Sequence, residues 1–146
     1  MQLCKRRGAR VTAITSRGKE ENITALGADA VFTRGDVDWE SLKETVDVVV
    51  DNVGGDDFDD VLESLKRGGR LITSGAVAGP IVSLDMRTLY LRNLSLFGTT
   101  AWDEACFPNL MSYIARNEFR PLVDKTYPLS QIADAQKGTK LLLSRI

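Results

Sequence analysis

Four short segments carry the residues whose types and spacing could do chemistry in this chain of 146 residues. Thr15-Ser16-Arg17-Gly18-Lys19 follows a β-branched run and offers a hydroxyl, a guanidinium and an ammonium close together. That set suits a phosphate, with arginine binding through its planar fork and lysine as a point charge. Asp51-Asn52-Val53-Gly54-Gly55 follows a second apolar run; its small residues allow close backbone approach, and Asn52 can hydrogen-bond a sugar hydroxyl. Ser74-Gly75-Ala76 and Phe97-Gly98-Thr99-Thr100 each place a glycine and small polar groups after a further run, where main-chain N–H and C=O groups could hold a carboxamide. Taken singly, each segment is also readable as an ordinary turn. No residue among them is assigned as an acid or base.

Several chemistries are excluded by composition. The sequence has no histidine, which removes Ser-His-Asp and Cys-His arrangements and any zinc site that needs an imidazole. Cys4 and Cys106 belong to no metal-ligand spacing; they suit a reducing cytoplasm and read as small buried or half-buried hydrophobes. No metal site is expected. Nineteen basic and 20 acidic residues leave a net charge of −1, so no sequence-wide field favours nucleic acid or an anionic membrane, and Lys5-Arg6-Arg7 reads as a solvated helix end. No apolar run approaches the ~20 residues that span a bilayer, and the opening residues lack a signal peptide's apolar stretch. These features predict a cytoplasmic protein without nucleic-acid or membrane partners. Short-chain reductases need Tyr-x-x-x-Lys, but Leu94, Asn117 and Gln131 lie four residues beyond Tyr90, Tyr113 and Tyr127. A methyltransferase would want an acidic group where Ser16-Arg17 stands.

The elements that must position these segments alternate between two periods. Met1 to Arg7 reads as the last turns of a helix stopped by Gly8. Strands are predicted over 11–15, 30–33, 47–51, 70–74 and 94–99, and a short one over 122–127. Asp47 to Asp51 is continuously apolar between its ends, as for a parallel strand covered on both faces. Helices are predicted over 19–26, from the stripe Phe58, Val61, Leu62 and Leu65, weakly over 84–91, from the stripe Phe107, Leu110, Met111 and Ile114, and from Ser130 to a stop at Gly138. Pro108 falls in a helix's first turn, where its missing N–H costs little.

Strands separated by helices predict an α/β fold: a doubly wound parallel sheet with right-handed crossovers, Rossmann-like. Ligands in such sheets bind beyond the carboxyl ends of the strands, which is where the four segments lie. An NAD-specific domain would carry an acidic residue after the strand at 11–15, for the ribose 2′-hydroxyl. Ser16, Arg17 and Lys19 stand there instead, which favours NADP over NAD.

The succession Gly8-Ala9 before a strand, Ala25-Leu26-Gly27-Ala28-Asp29 before a short strand, Asp47 to Gly55, Leu65 to Ser74, Leu96-Phe97-Gly98 and Arg120-Pro121-Leu122 resembles the cofactor domain of medium-chain dehydrogenases/reductases of the quinone-oxidoreductase kind. The similarity runs from about residue 1 to residue 136, and order and spacing carry it. By this resemblance Ser16, Arg17 and Lys19 lie at the adenosine end, Asn52 and Val53 near the riboses, and Gly75, Ala76, Phe97, Gly98 and Thr99 near the nicotinamide. It also implies an NADPH-dependent oxidoreductase passing hydride to a carbonyl, enone or quinone without zinc, and a homodimer formed through the strand at 94–99.

The chain departs from that family at both ends. The family opens this domain with a central strand, a glycine-rich loop and a helix, and the present sequence begins inside that helix, without the pyrophosphate site at its start. Two half-sheets with unpaired edges are therefore expected. The tail 137–146, set apart from the domain at 1–136, is strand-like, so that 141–145 could fill the gap between 11–15 and 47–51; a fragment of a larger protein is the preferred reading. Such a piece is expected to be inactive alone. The alternative is a non-catalytic Rossmann-like module for dimerisation or binding.

Overall fold

In a computed structural model, residues 1–100, 103–123 and 125–143 are described, with side chains through residue 137. Two compact units divide the chain, Met1–Asn109 and Leu110–Ile146. The first holds helix α1 (Gln2–Arg6), strand β1 (Thr12–Thr15), α2 (Glu20–Ala25), β2 (Ala30–Thr33), α3 (Trp39–Leu42), β3 (Val46–Asp51), α4 (Phe58–Ser64), β4 (Leu65–Thr73), α5 (Met86–Leu91) and β5 (Ser95–Gly98). Then come α6 (Cys106–Ala115), a 3₁₀ turn (Leu129–Gln131) and α7 (Ile132–Leu143).

All pairing is parallel, and the strands form two sheets, β1-β2 and β3-β4-β5. Among the described residues β1 pairs only with β2, and β3 only with β4. The half-sheets with open edges expected from the sequence are therefore present.

Ala25 to Asp29 owes its form to local chemistry. Gly27, at φ +97°, ends α2 in a conformation that costs a residue with a Cβ, Ala28 is buried, and Asp29 fixes the register of β2 on β1. The Asp29 carboxylate accepts from the Val11 N–H (2.7 Å) and from Lys5 Nζ (2.7 and 2.9 Å), while the Asp29 N–H donates to the Val11 carbonyl (2.8 Å).

The larger sheet carries the core. Leu62, Leu65, Leu71 and Leu94 are buried, with Val49, Phe58, Val61, Leu84 and Leu89 against them. The stripe on α4 thus faces Val49 and Leu71. In parallel register Val50, Ile72 and Phe97 share the opposite face, which is only partly covered: Val50 is 66% and Phe97 50% exposed. The uniform apolarity of β3, read as burial on both faces, is met on one.

Four further expectations are corrected. β4 starts at Leu65, directly after α4, because Gly68-Gly69 forms an outward step inside the strand: Val46 pairs with Leu65, and Val48 with Arg70. Arg92 fills the space beside it, donating through Nη2 to the carbonyls of Glu63 and Leu65, while its own carbonyl accepts from the Gly68 N–H (2.8 Å). Residues 122, 123 and 125–127 form no strand; Leu122 and Val123 are exposed, with no neighbouring strand to complete a ladder. The tail is helical through Leu143, so 141–143 do not fill the gap between the sheets, and 144–146 lie outside the described residues. A three-leucine run is compatible with either period, and a helix tolerates Gly138 at about 1 kcal/mol. Finally, Cys4 and Cys106 are free and exposed, the first on the outer side of a one-turn helix and the second at the start of α6. Among the described residues no helix is long and apolar enough to cross a membrane.

Candidate functional site

The carboxyl ends of β1 and β2 meet in one corner. The Arg34 N–H donates to the Thr15 carbonyl (2.7 Å), which brings the residue after β2 beside the residues after β1. The chain turns at Gly18 (φ +83°) and Gly35 (φ +87°), positions that favour glycine. Half-buried Ser16 and exposed Arg17 and Lys19 are gathered here as the sequence predicts, and exposed Arg34 joins them. Arg34 was not singled out, although it directly follows a strand, as the other candidates do.

Two carboxylates also reach this corner. Glu20 Oε1 accepts from the Thr33 hydroxyl (2.7 Å), and this bond above all, with the Glu20 and Gly18 N–H groups and the nearby Arg17 charge, holds its carboxyl below the usual range. Asp36 pairs with Arg17, Oδ2 to Nη2, at 2.5 Å. The corner is thus cationic on balance but not free of acids, a point that Ser16 to Lys19 alone does not reveal.

Loops after β3 and β4 are fastened to each other. Buried Asp51 accepts from the N–H groups of Val53 (2.8 Å) and Gly54 (3.2 and 3.3 Å), so its charge is spent on the turn. Asn52 Oδ1 accepts from the Ser74 N–H (3.2 Å) and hydroxyl (2.7 Å). The Val77, Ala78 and Gly55 N–H groups donate to the carbonyls of Asn52, Val53 and Gly79. A Cβ on Gly54 would lie 2.6 Å from the Gly79 carbonyl oxygen, so this glycine serves loop-to-loop contact. These bonds bring Asn52 and Val53 beside Gly75 and Ala76. The Thr99 N–H donates to the Thr73 carbonyl (2.9 Å), placing Gly98 and Thr99 on the same edge; nothing lies within 4 Å of a Cβ built on Gly98. Phe97 lies one residue inside β5, in register with Ile72, and its ring belongs to the sheet face and not to the loop edge.

This arrangement offers, in order along the carboxyl edges, cations for a phosphate, an amide for sugar hydroxyls, and main-chain groups beside an open glycine. The family model described as zinc-binding dehydrogenase matches residues 1–116. The chain belongs to that family, among the medium-chain dehydrogenases/reductases. This zinc-binding dehydrogenase family member is 31% identical to the acryloyl-coenzyme A reductase of Metallosphaera sedula over 144 residues, 97% of the chain and 42% of that protein. It is 31% identical to quinone oxidoreductase-like protein 2 of Bos taurus over 115 residues, 68% of the chain and 33% of that protein. A crystal structure of a putative alcohol dehydrogenase from Sinorhizobium meliloti 1021 superposes with a TM-score of 0.84 at 43% identity, over 96% of this chain and 40% of that one. The chain therefore spans less than half the length of these relatives.

Proposed function

We propose that this chain is the cofactor-binding portion of an NADPH-dependent oxidoreductase that reduces an activated carbonyl, enone or quinone, and that it is inactive by itself. The observation that carries the reading is the meeting of Arg17, Lys19 and Arg34 at the carboxyl ends of β1 and β2. Three cations beside the half-buried Ser16 suit a ribose 2′-phosphate, and their excess over the two local carboxylates favours NADPH over NADH. When bound, the nicotinamide supplies the hydride. This chain's part is binding and orientation: Asn52, its Oδ1 engaged by Ser74, presents its amide Nδ2 to a sugar hydroxyl beside Val53. Main-chain groups at Gly75, Ala76, Gly98 and Thr99 hold the carboxamide, and Phe97 backs them from the sheet. The substrate pocket lies in the part of the relatives' length that this chain does not cover. The proposal assigns no zinc to this chain, whose sequence has no histidine to offer as a ligand. Two free, exposed cysteines support a reducing, cytoplasmic setting.

Titration with NADPH and NADH, followed by nicotinamide fluorescence, tests the reading. NADPH should bind more tightly, and Arg34→Gln should weaken NADPH while leaving NADH unchanged. Equal affinity for both cofactors would sink it.

A second reading, a dimerisation module without catalysis, is favoured by β5: among the described residues it is an edge strand, paired only with β4, and could pair with its counterpart across a two-fold axis.

A further inference from the structure

We infer that Asp36 is a specificity residue at the adenosine end: its carboxylate competes with a 2′-phosphate for the Arg17 guanidinium and so limits the preference for a phosphorylated ribose. The inference rests on the reading of that corner as the adenosine site.

Asp36 is held where it can compete. Its N–H donates to the Thr33 carbonyl (3.0 Å) across a turn that contains Gly35, and the preceding Arg34 is fixed to Thr15 (2.7 Å). Its carboxylate therefore reaches the corner that gathers the cations, and it contacts Arg17 at 2.5 Å. The neighbouring acid, Glu20, is engaged by the Thr33 hydroxyl instead. Both members of the Arg17–Asp36 pair are largely solvent-exposed, at 81% and 60% of their side-chain area. Exposed pairs of this kind are weak and exchange readily. A phosphate dianion facing Arg17, Lys19 and Arg34 would displace the carboxylate, but it would leave two negative groups side by side. A ribose with a free 2′-hydroxyl demands no displacement. The carboxylate thus acts against the phosphorylated ligand alone.

Adenosine 2′,5′-bisphosphate and 5′-AMP, titrated into the full chain and followed by the amide NMR shifts of Arg17, Arg34 and Asp36, separate the possibilities. The wild-type chain should prefer the bisphosphate. Asp36→Asn should tighten the bisphosphate about two- to fivefold, the range set by exposed ion pairs, and leave 5′-AMP unchanged. In an Arg17→Gln background the same change should lose most of its effect. A wild-type chain that prefers the bisphosphate, with Asp36→Asn neutral or weakening, overturns the competition and leaves the adenosine site standing. Equal tightening of both ligands also overturns it, as a general effect of charge. A wild-type chain without preference removes the adenosine reading and this inference together.

Discussion

A single carboxylate, Asp29, ties α1, β1 and β2 together through Lys5 and the Val11 N–H. Those bonds, the Lys5 contact first, hold its carboxyl below the usual range. Because the folded group titrates below the unfolded one, its stabilisation is complete above the unfolded value of about 4 and is lost as pH falls through the folded value. Asp29→Asn keeps an acceptor for Val11 but removes the charge. It should lower the melting temperature at about pH 7, and the difference from wild type should shrink toward zero as acid protonates the wild-type carboxylate. A difference that persists undiminished in acid would show that the charge is not what Asp29 contributes. By contrast, the Asp51 carboxylate is satisfied by backbone N–H groups within its own turn, which makes it a local brace and not a tie between elements.

Between elements, the junction of α4 and β4 depends on Arg92, whose side chain is only 14% exposed and caps the carbonyls of Glu63 and Leu65 beside the Glu63 carboxylate. Arg92→Ala leaves those acceptors without a partner and should lower the stability of the larger sheet by about 1–3 kcal/mol, read as a shift in the urea midpoint of that sheet's own transition. No shift would mean that water replaces the guanidinium. Nothing near residue 65 in the sequence announces this role, because the donor lies 27 residues away. Much else was legible: Ala30 to Thr33 is a strand by its branched and aromatic residues, and the α4 stripe predicts a buried face that the structure confirms. The one-turn helix α3 was not anticipated, although Asp38 caps it by accepting from the Ser41 N–H, since four residues are too few to show a period. In the site, Ser16, Arg17 and Lys19 were legible because one strand end presents all three. Asn52 was legible as a polar group but not as the partner of Ser74, and Asp36 was hidden because its pairing with Arg17 spans a helix and a strand.

Across the whole molecule, several large apolar residues are left outside the core. Val50 and Phe97 are half or more exposed on one sheet face, and Leu96, at 36% exposure, belongs to the edge strand β5. If β5 pairs across a two-fold axis, light scattering after size-exclusion should give twice the chain mass, and Leu96→Pro should halve it with the far-ultraviolet circular dichroism unchanged. A monomeric wild-type chain would dispose of this pairing. The open edges of β1 and β3 bear on another property. Among the described residues no ladder of hydrogen bonds runs from one sheet to the other, and the buried leucines lie with β3, β4 and β5, while the smaller sheet contributes only Thr15 to the buried set, with Ala28 in the turn before β2. Cooperative unfolding requires that the loss of one part removes support from the rest. Here the smaller sheet can melt while the larger keeps its core, so no single unfolding free energy describes the chain, and a strand laid between β1 and β3 would make the two halves rise and fall together.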